Sequence, residues 1–84
     1  MDLGQNSSLS GLIEYLARGL VDHPEEVAVE EVDEPDALVF ELKVAEQDLG
    51  KVIGKQGRTA KALRTVLSAA SSKVRRRVLL EILE

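Results

Sequence analysis

Val52-Ile53-Gly54-Lys55-Gln56-Gly57-Arg58 is the stretch on which the fold turns. Two apolar residues run into two glycines three apart, and a basic segment with apolar periodicity follows at once. Glycine adopts backbone conformations that a Cβ forbids, so the pair permits a tight or left-handed turn and close approach by another backbone. Set between helices, such a turn offers N–H groups and a helix N-terminus to an anion. Lys55 and Arg58 supply the matching charge beside it. Other phosphate loops fail on spacing. From Gly50 the count to Gly54-Lys55 falls one residue short of a Walker A loop, and Gln56 stands where the magnesium-binding hydroxyl belongs. Gly50, Gly54 and Gly57 do not have the G-x-G-x-x-G spacing of a dinucleotide fingerprint. The glycines alone leave a plain helix–turn–helix corner open.

The 84 residues suit one small domain with one core. A chain of this size buries only a little over ~60% of its unfolded surface, so association would add useful burial. With no cysteine, disulfides, thiolate catalysis and cysteine-based zinc sites are excluded. A single histidine, His23, argues against a His-rich metal site. It precedes Pro24 at an expected helix end, where favouring the last carbonyls is its expected role. No apolar run has the length of a membrane span and no signal peptide is visible, so a cytoplasmic protein is expected.

The net charge of −4 is unevenly spread. Residues 1–50 carry thirteen acids against Arg18 and Lys43, a balance of −11. Residues 51–84 carry nine bases against two acids, a balance of +7. A polyanion feels the local field, so a basic half centred on a glycine turn outweighs the acidic total.

In chain order, residues 1–8 are small and polar and are expected to be flexible, leaving 9–84 as the domain. Leu9, Leu12, Ile13, Leu16, Ala17, Leu20 and Val21 recur at three- and four-residue steps, one face of an amphipathic helix that Ser7 or Ser8 can cap and Pro24 stops. The period then changes to two. A strand is expected over about residues 27–33, a turn at Asp33-Glu34-Pro35-Asp36, and a second strand with Leu38, Phe40, Leu42 and Val44 on one face. The two strands should form a hairpin. Glu46-Gln47-Asp48 places acids at the start of a short helix anchored by Leu49, Val52 and Ile53. A longer helix is expected from about Arg58 to Ser72, with Leu63, Val66, Leu67 and Ala70 as its buried stripe. Val78, Leu80 and Ile82 then alternate with Leu79, Glu81 and Leu83 in a last strand.

Asp48-Leu49-Gly50-Lys51-Val52-Ile53-Gly54-Lys55-Gln56-Gly57-Arg58-Thr59-Ala60-Lys61-Ala62-Leu63-Arg64 is very similar to the small stand-alone KH proteins of bacteria, the KhpA type, and Leu20-Val21-Asp22-His23-Pro24 also matches that family. The resemblance implies an α+β fold, the type II KH domain, in the order α-β-β-α-α-β with three helices on one face of a three-stranded sheet. It implies single-stranded RNA bound beside a GXXG clamp of the kind that grips about four nucleotides. Carried onto this sequence, the RNA-binding residues are Lys51, Val52, Ile53, Gly54, Lys55, Gln56, Gly57, Arg58, Lys61 and Arg64. Val52 and Ile53 would give an apolar floor, and Leu42 to Val44 of the second strand the far wall. Tyr15 and Phe40, the only aromatics, fall in helix or core patterns, so an aromatic stacking platform is not expected. Weak affinity and loose sequence preference follow from one module covering few bases.

The implied role is an RNA chaperone or post-transcriptional regulator. It would act as a homodimer or with a larger Jag-type (KhpB-type) KH protein. The alternative is a KH-fold protein-interaction module in a ribosome- or cell-envelope-linked regulatory complex, with RNA binding secondary. No catalytic residues, metal or cofactor are expected, because Glu14, Asp22 and Glu81 show no marked partners. Two seams for self-association are open: an apolar patch of Val32, Val39, Leu79 and Leu83 on the sheet, or Val66, Ala69 and Ala70 on the long helix.

Overall fold

The computed structural model describes the backbone of residues 6–84 and the side chains from Leu9 onward. Helix α1 spans Asn6–Leu20, strand β1 Ala28–Asp33, strand β2 Ala37–Lys43, helix α2 Leu49–Ile53, helix α3 Arg58–Ala70 and strand β3 Arg77–Ile82. Short 3-10 turns at Pro24–Glu26, Glu46–Asp48 and Lys55–Gly57 join them. The order is the expected α-β-β-α-α-β, with the three helices on one face of the sheet. The expected flexible segment and its capping serines lie outside the described side chains.

Residues at four-residue spacing face inward from α1: Leu9, Ile13 and Ala17 are buried, with Leu16 and Val21 packed against them. The helix ends where Pro24 pushes His23 out of the helical region, at φ −122 and ψ 69. β1 and β2 form the expected hairpin, its turn closed by the Glu34 N–H donating to the Ala37 carbonyl at 2.9 Å. β3 then pairs parallel to β2, so β2 lies in the middle and β1 and β3 are the edges. A parallel return needs a crossover, which α2 and α3 provide.

Even-numbered residues of β2 point at the helices. Leu38, Phe40 and Leu42 are at most 1% exposed and meet Ile13, Val52, Leu63, Leu67 and Leu80. Burying each large side chain contributes about 1.5–3 kcal/mol, and cutting Phe40 to alanine would cost about 3–5 kcal/mol through the cavity left behind. Leu42 and Val44 belong to this core, while Lys43 between them is exposed, and Lys43 and Val44 line a pocket with Glu46, Leu49 and Leu83.

The other sheet face carries no helix. In-register neighbours share a face, so Val32, Val39 and Leu79 form one row across three strands, and Glu30, Glu41 and Glu81 form the next. Val39, in the middle strand, is already 7% exposed, which leaves Leu79 and Leu83 as the accessible part of the expected patch. On α3 the buried stripe is Ala60, Leu63 and Leu67, whereas Val66 is 42% exposed and Ala70 is exposed. Apolar spacing on α3 continues beyond the part of the helix that α1 and the sheet cover.

Candidate nucleic-acid interface

Everything at the Gly54–Gly57 turn follows from three residues at positive φ. Gly54 sits at φ 80, ψ 168, Gln56 at φ 58, ψ 26, and Gly57 at φ 73, ψ 13. Gln56 is the only described residue other than glycine with positive φ, a conformation that is uncommon for a side chain with a Cβ. The backbone accounts for most of its own groups. Gly54 N–H donates to Gly50 O at 2.9 Å, Gly57 N–H to Gly54 O at 3.0 Å, and Arg58 N–H to Lys55 O. Outside the helices, the amides of Lys55 and Gln56 have no backbone acceptor among the described residues.

The turn leads straight into α3, whose N-cap is Gly57, with no side-chain capping bond. A helix start with unspent amides carries a partial positive charge and favours an anion. The two glycines are not equivalent. A Cβ on Gly54 would lie 2.7 Å from the Thr59 backbone nitrogen and from its Cβ, whereas a Cβ on Gly57 would meet nothing within 4 Å.

The cations divide into two groups. Lys55, Arg58 and Lys61 are exposed and have no carboxylate partner among the described residues. Arg58 Nη2 donates to Gln56 Oε1 at 3.1 Å, which holds it over the turn. Three- and four-residue steps keep Arg58, Lys61 and Arg64 near one side of α3. Arg64 Nε donates to the carbonyl of Leu80 at 3.3 Å, on the edge strand β3. A line of positive charge thus runs from the turn down α3 to the edge of β3. Of the apolar floor, Ile53 is half-buried, while Val52 is wholly buried and supports it from the core.

Lys51 lies elsewhere in its contacts. Its Nζ is 3.2 Å from Asp22 Oδ2 and 3.7 Å from Asp48 Oδ1. Hydrogen bonding to Asp22 is the main reason its ammonium is held above the ordinary lysine value. Asp48 itself is fully buried. It accepts from Asp22 N–H at 3.3 Å, His23 N–H at 3.0 Å and His23 Nδ1 at 3.1 Å. Burial pushes the carboxyl upward, but those hydrogen bonds outweigh it and hold Asp48 below the usual carboxylate range. The Asp48 hydrogen bond raises His23 above its ordinary 6.5 against a smaller opposing effect of burial, with Asp48, Glu25 and Glu26 adding charge.

His23 therefore does more than favour the end of α1. Asp22 pairs with Lys51 and Glu14 with Arg18 at 2.6 Å, so these acids do have partners. Sequence reasoning also missed Arg76. Its Nη2 donates to the carbonyls of Glu34 and Ala37, the latter at 2.9 Å, and pairs with Asp33. The basic loop before β3 thereby clasps the acidic β1–β2 turn. The available signal was charge complementarity between Asp33–Asp36 and Arg75–Arg77, which sequence separation hides.

An apolar groove lined by Leu16, Leu20, Thr59, Ala62, Leu63 and Val66 runs between α1 and α3, with Tyr15 75% exposed on the same helix as Leu16 and Leu20. No described helix is long and apolar enough to cross a membrane.

Known proteins are similar to this chain in sequence and in fold. The chain is 56% identical over 73 residues to the RNA-binding protein KhpA of Halalkalibacterium halodurans, covering 87% of this chain and 96% of that one. It is 50% identical over 78 residues to the KhpA of Aquifex aeolicus, covering 93% and 99%. Among solved structures, Era of Aquifex aeolicus bound to GDP and AlF4− superposes with a TM-score of 0.61 at 23% identity, over 88% of this chain and 29% of that one. Era in complex with MgGDPNP and nucleotides 1506–1542 of 16S ribosomal RNA gives 0.54 at 18% identity, over 90% and 30%. Those two likenesses speak to the fold alone, because the chain spans under a third of either Era chain. A family model described as KhpA/KhpB, KH domain, matches residues 10–82, and the chain belongs to that family.

Proposed function

We propose that this chain binds single-stranded RNA along the Gly54–Gly57 turn and the adjoining side of α3, as a post-transcriptional regulator or RNA chaperone. The observation that carries the reading is the start of α3, which has no side-chain cap, beside Lys55, Arg58 and Lys61, which have no carboxylate partner among the described residues. One phosphate sits against the Lys55 and Gln56 amides and the next against Arg58 and Lys61. Bases splay toward Ile53 and the β3 edge, where shape and base edges are read. The relatives' printed name, RNA-binding protein, supports this reading. Fluorescence anisotropy with a labelled random RNA decamer tests it. Gly57→Asp adds a carboxylate in open space at a position where glycine's left-handed backbone is tolerated by Asn and Asp. Binding should be lost with circular dichroism unchanged. Unaltered affinity would refute the clamp.

The exposed hydrophobics favour a second, compatible reading. The groove between α1 and α3 carries no charged residue and is flanked by Tyr15, Leu20 and Val66, all at least 40% exposed. It suits a second copy of the chain, or a KhpB-type partner of the same fold, better than the sheet face does. There the Glu30–Glu41–Glu81 row would be desolvated. Light scattering at tens of micromolar should show a mass above the 9.2 kDa chain, reduced to it by Val66→Lys. A monomeric wild type would dismiss the homodimer.

A further inference from the structure

α2 has five residues, too few to hold a helix by its own hydrogen bonds. Its last residue leads into Gly54, so whatever fixes the start of α2 also aims the turn. Asp48 occupies the N-cap position, where an aspartate ordinarily caps its own helix and stabilises it by about 1 kcal/mol. Here it makes no such bond. Its carboxylate turns away and reaches residues 25 and 26 positions earlier, at the exit of α1. Both oxygens are occupied, the side chain is wholly buried, and Lys51 closes the outer side by bridging Asp48 to Asp22.

From this geometry we propose that Asp48 is the positioning residue of the clamp, and that its contact with His23 makes the grip on RNA sensitive to protons. The inference rests on the RNA-binding reading above. Five residues of helix rise about 7 Å, so a tilt of roughly ten degrees about the start of α2 carries Gly54 by about 1 Å. That is enough to disturb hydrogen bonds from the Lys55 and Gln56 amides to a phosphate. Asp48 keeps this lever still by fastening it to the rigid end of α1.

Within the network, the groups facing Asp48 are Asp22, His23 and Lys51, and those facing His23 are Asp48, Glu25 and Glu26. Of these, His23 alone changes charge near neutrality. Protonated, it gives Asp48 a charge-assisted hydrogen bond; neutral, it gives a weaker one. RNA affinity should therefore fall as pH rises through the raised pKa of His23.

The test uses the full chain and the same labelled RNA decamer, measured from pH 6 to 9 beside Gly57→Asp. Asp48→Asn keeps the shape and removes the charge. It should weaken binding about tenfold, the equivalent of about one hydrogen bond to a charged group, at temperatures where dichroism matches wild type. His23→Asn keeps an N–H donor near Nδ1 but does not titrate. It should bind with a flat pH profile where wild type loses about threefold, the difference between a charge-assisted and a neutral hydrogen bond. Folded Asp48→Asn with wild-type affinity overturns the positioning role. Should Asp48→Asn fail to fold, the His23→Asn profile decides: a pH dependence equal to wild type overturns the proposal. If Gly57→Asp binds like wild type, the clamp reading has failed, and with it the ground for this one. If only Gly57→Asp weakens binding, the clamp stands and the Asp48 inference falls.

Discussion

Lys55, Arg58 and Lys61 carry the same charge as Lys51, Arg64 and Arg76 and lie in the same basic half of the chain, yet the fold gives the two sets different work. The first three stand exposed around the start of α3, without carboxylate partners among the described residues. The second three make contacts within the protein. Lys51 bridges Asp22 and Asp48, Arg64 ties α3 to the Leu80 carbonyl, and Arg76 clasps the β1–β2 turn. Net charge predicts a field, and topology decides which members of the field remain available to a ligand. A basic patch read from sequence does not show which of its cations have partners from another element folded against them.

The comparison breaks most visibly under charge reversal. Lys55→Glu, Arg58→Glu and Lys61→Glu together should weaken RNA binding by roughly 100-fold while the melting temperature stays close to wild type. The same three changes would leave affinity intact if the free set were ordinary solvated charge. Arg76→Ala should do the opposite. It removes two hydrogen bonds to carbonyls and an ion pair that is half open to solvent, costing about 1 kcal/mol in urea unfolding, with RNA affinity changed less than twofold. A loss of affinity without a loss of stability would move Arg76 into the binding set.

Salt sharpens the distinction. Three phosphates neutralised by the free set give a slope of log K against log salt near −2, at about −0.7 per contact. Lys61→Ala should flatten it by about 0.7, and Lys51→Ala should leave it alone. The smallest effect is on stability against pH. His23 is raised, so its contribution is complete below its ordinary 6.5 and is lost as pH rises through its folded value. Asp48 is lowered, so its contribution is complete above its ordinary 3.8 and is lost as pH falls through its folded value. Urea titrations should find both present between those two values. His23→Asn should remove the alkaline decline and spare the acid one.

Much of this was legible in the sequence because its causes are local. Alternation along residues 38–44, the four-residue spacing before Pro24 and the glycine pair each specify a shape within a few residues of themselves. The positive-φ turn at Gly54–Gly57 was legible for the same reason. The Asp48–His23 contact was not, because each partner has an adequate local explanation: an acid at a helix start, a histidine at a helix end. Their meeting depends on how α1 and α2 pack. Strand order was not legible either, because period-two alternation does not encode it. Only the parallel crossover sends β3 to the edge and β2 to the centre. Val66 joined the buried stripe on spacing alone, whereas it is 42% exposed at the side of the groove between α1 and α3.

The asymmetry of the two glycines limits which sequences can carry this loop. Gly57 rests in a left-handed conformation that asparagine also adopts, with open space where a side chain would go. It has a neighbour in sequence space. Gly54 has none. Its φ and ψ belong to a region that is nearly glycine's alone, and the obstacle beside it is partly the backbone nitrogen of Thr59. Trimming Thr59 to alanine or glycine leaves that nitrogen in place, so no second change at position 59 makes room. A lineage carrying this fold can drift at 57 and recover, but a change at 54 is reversed or the turn is given up.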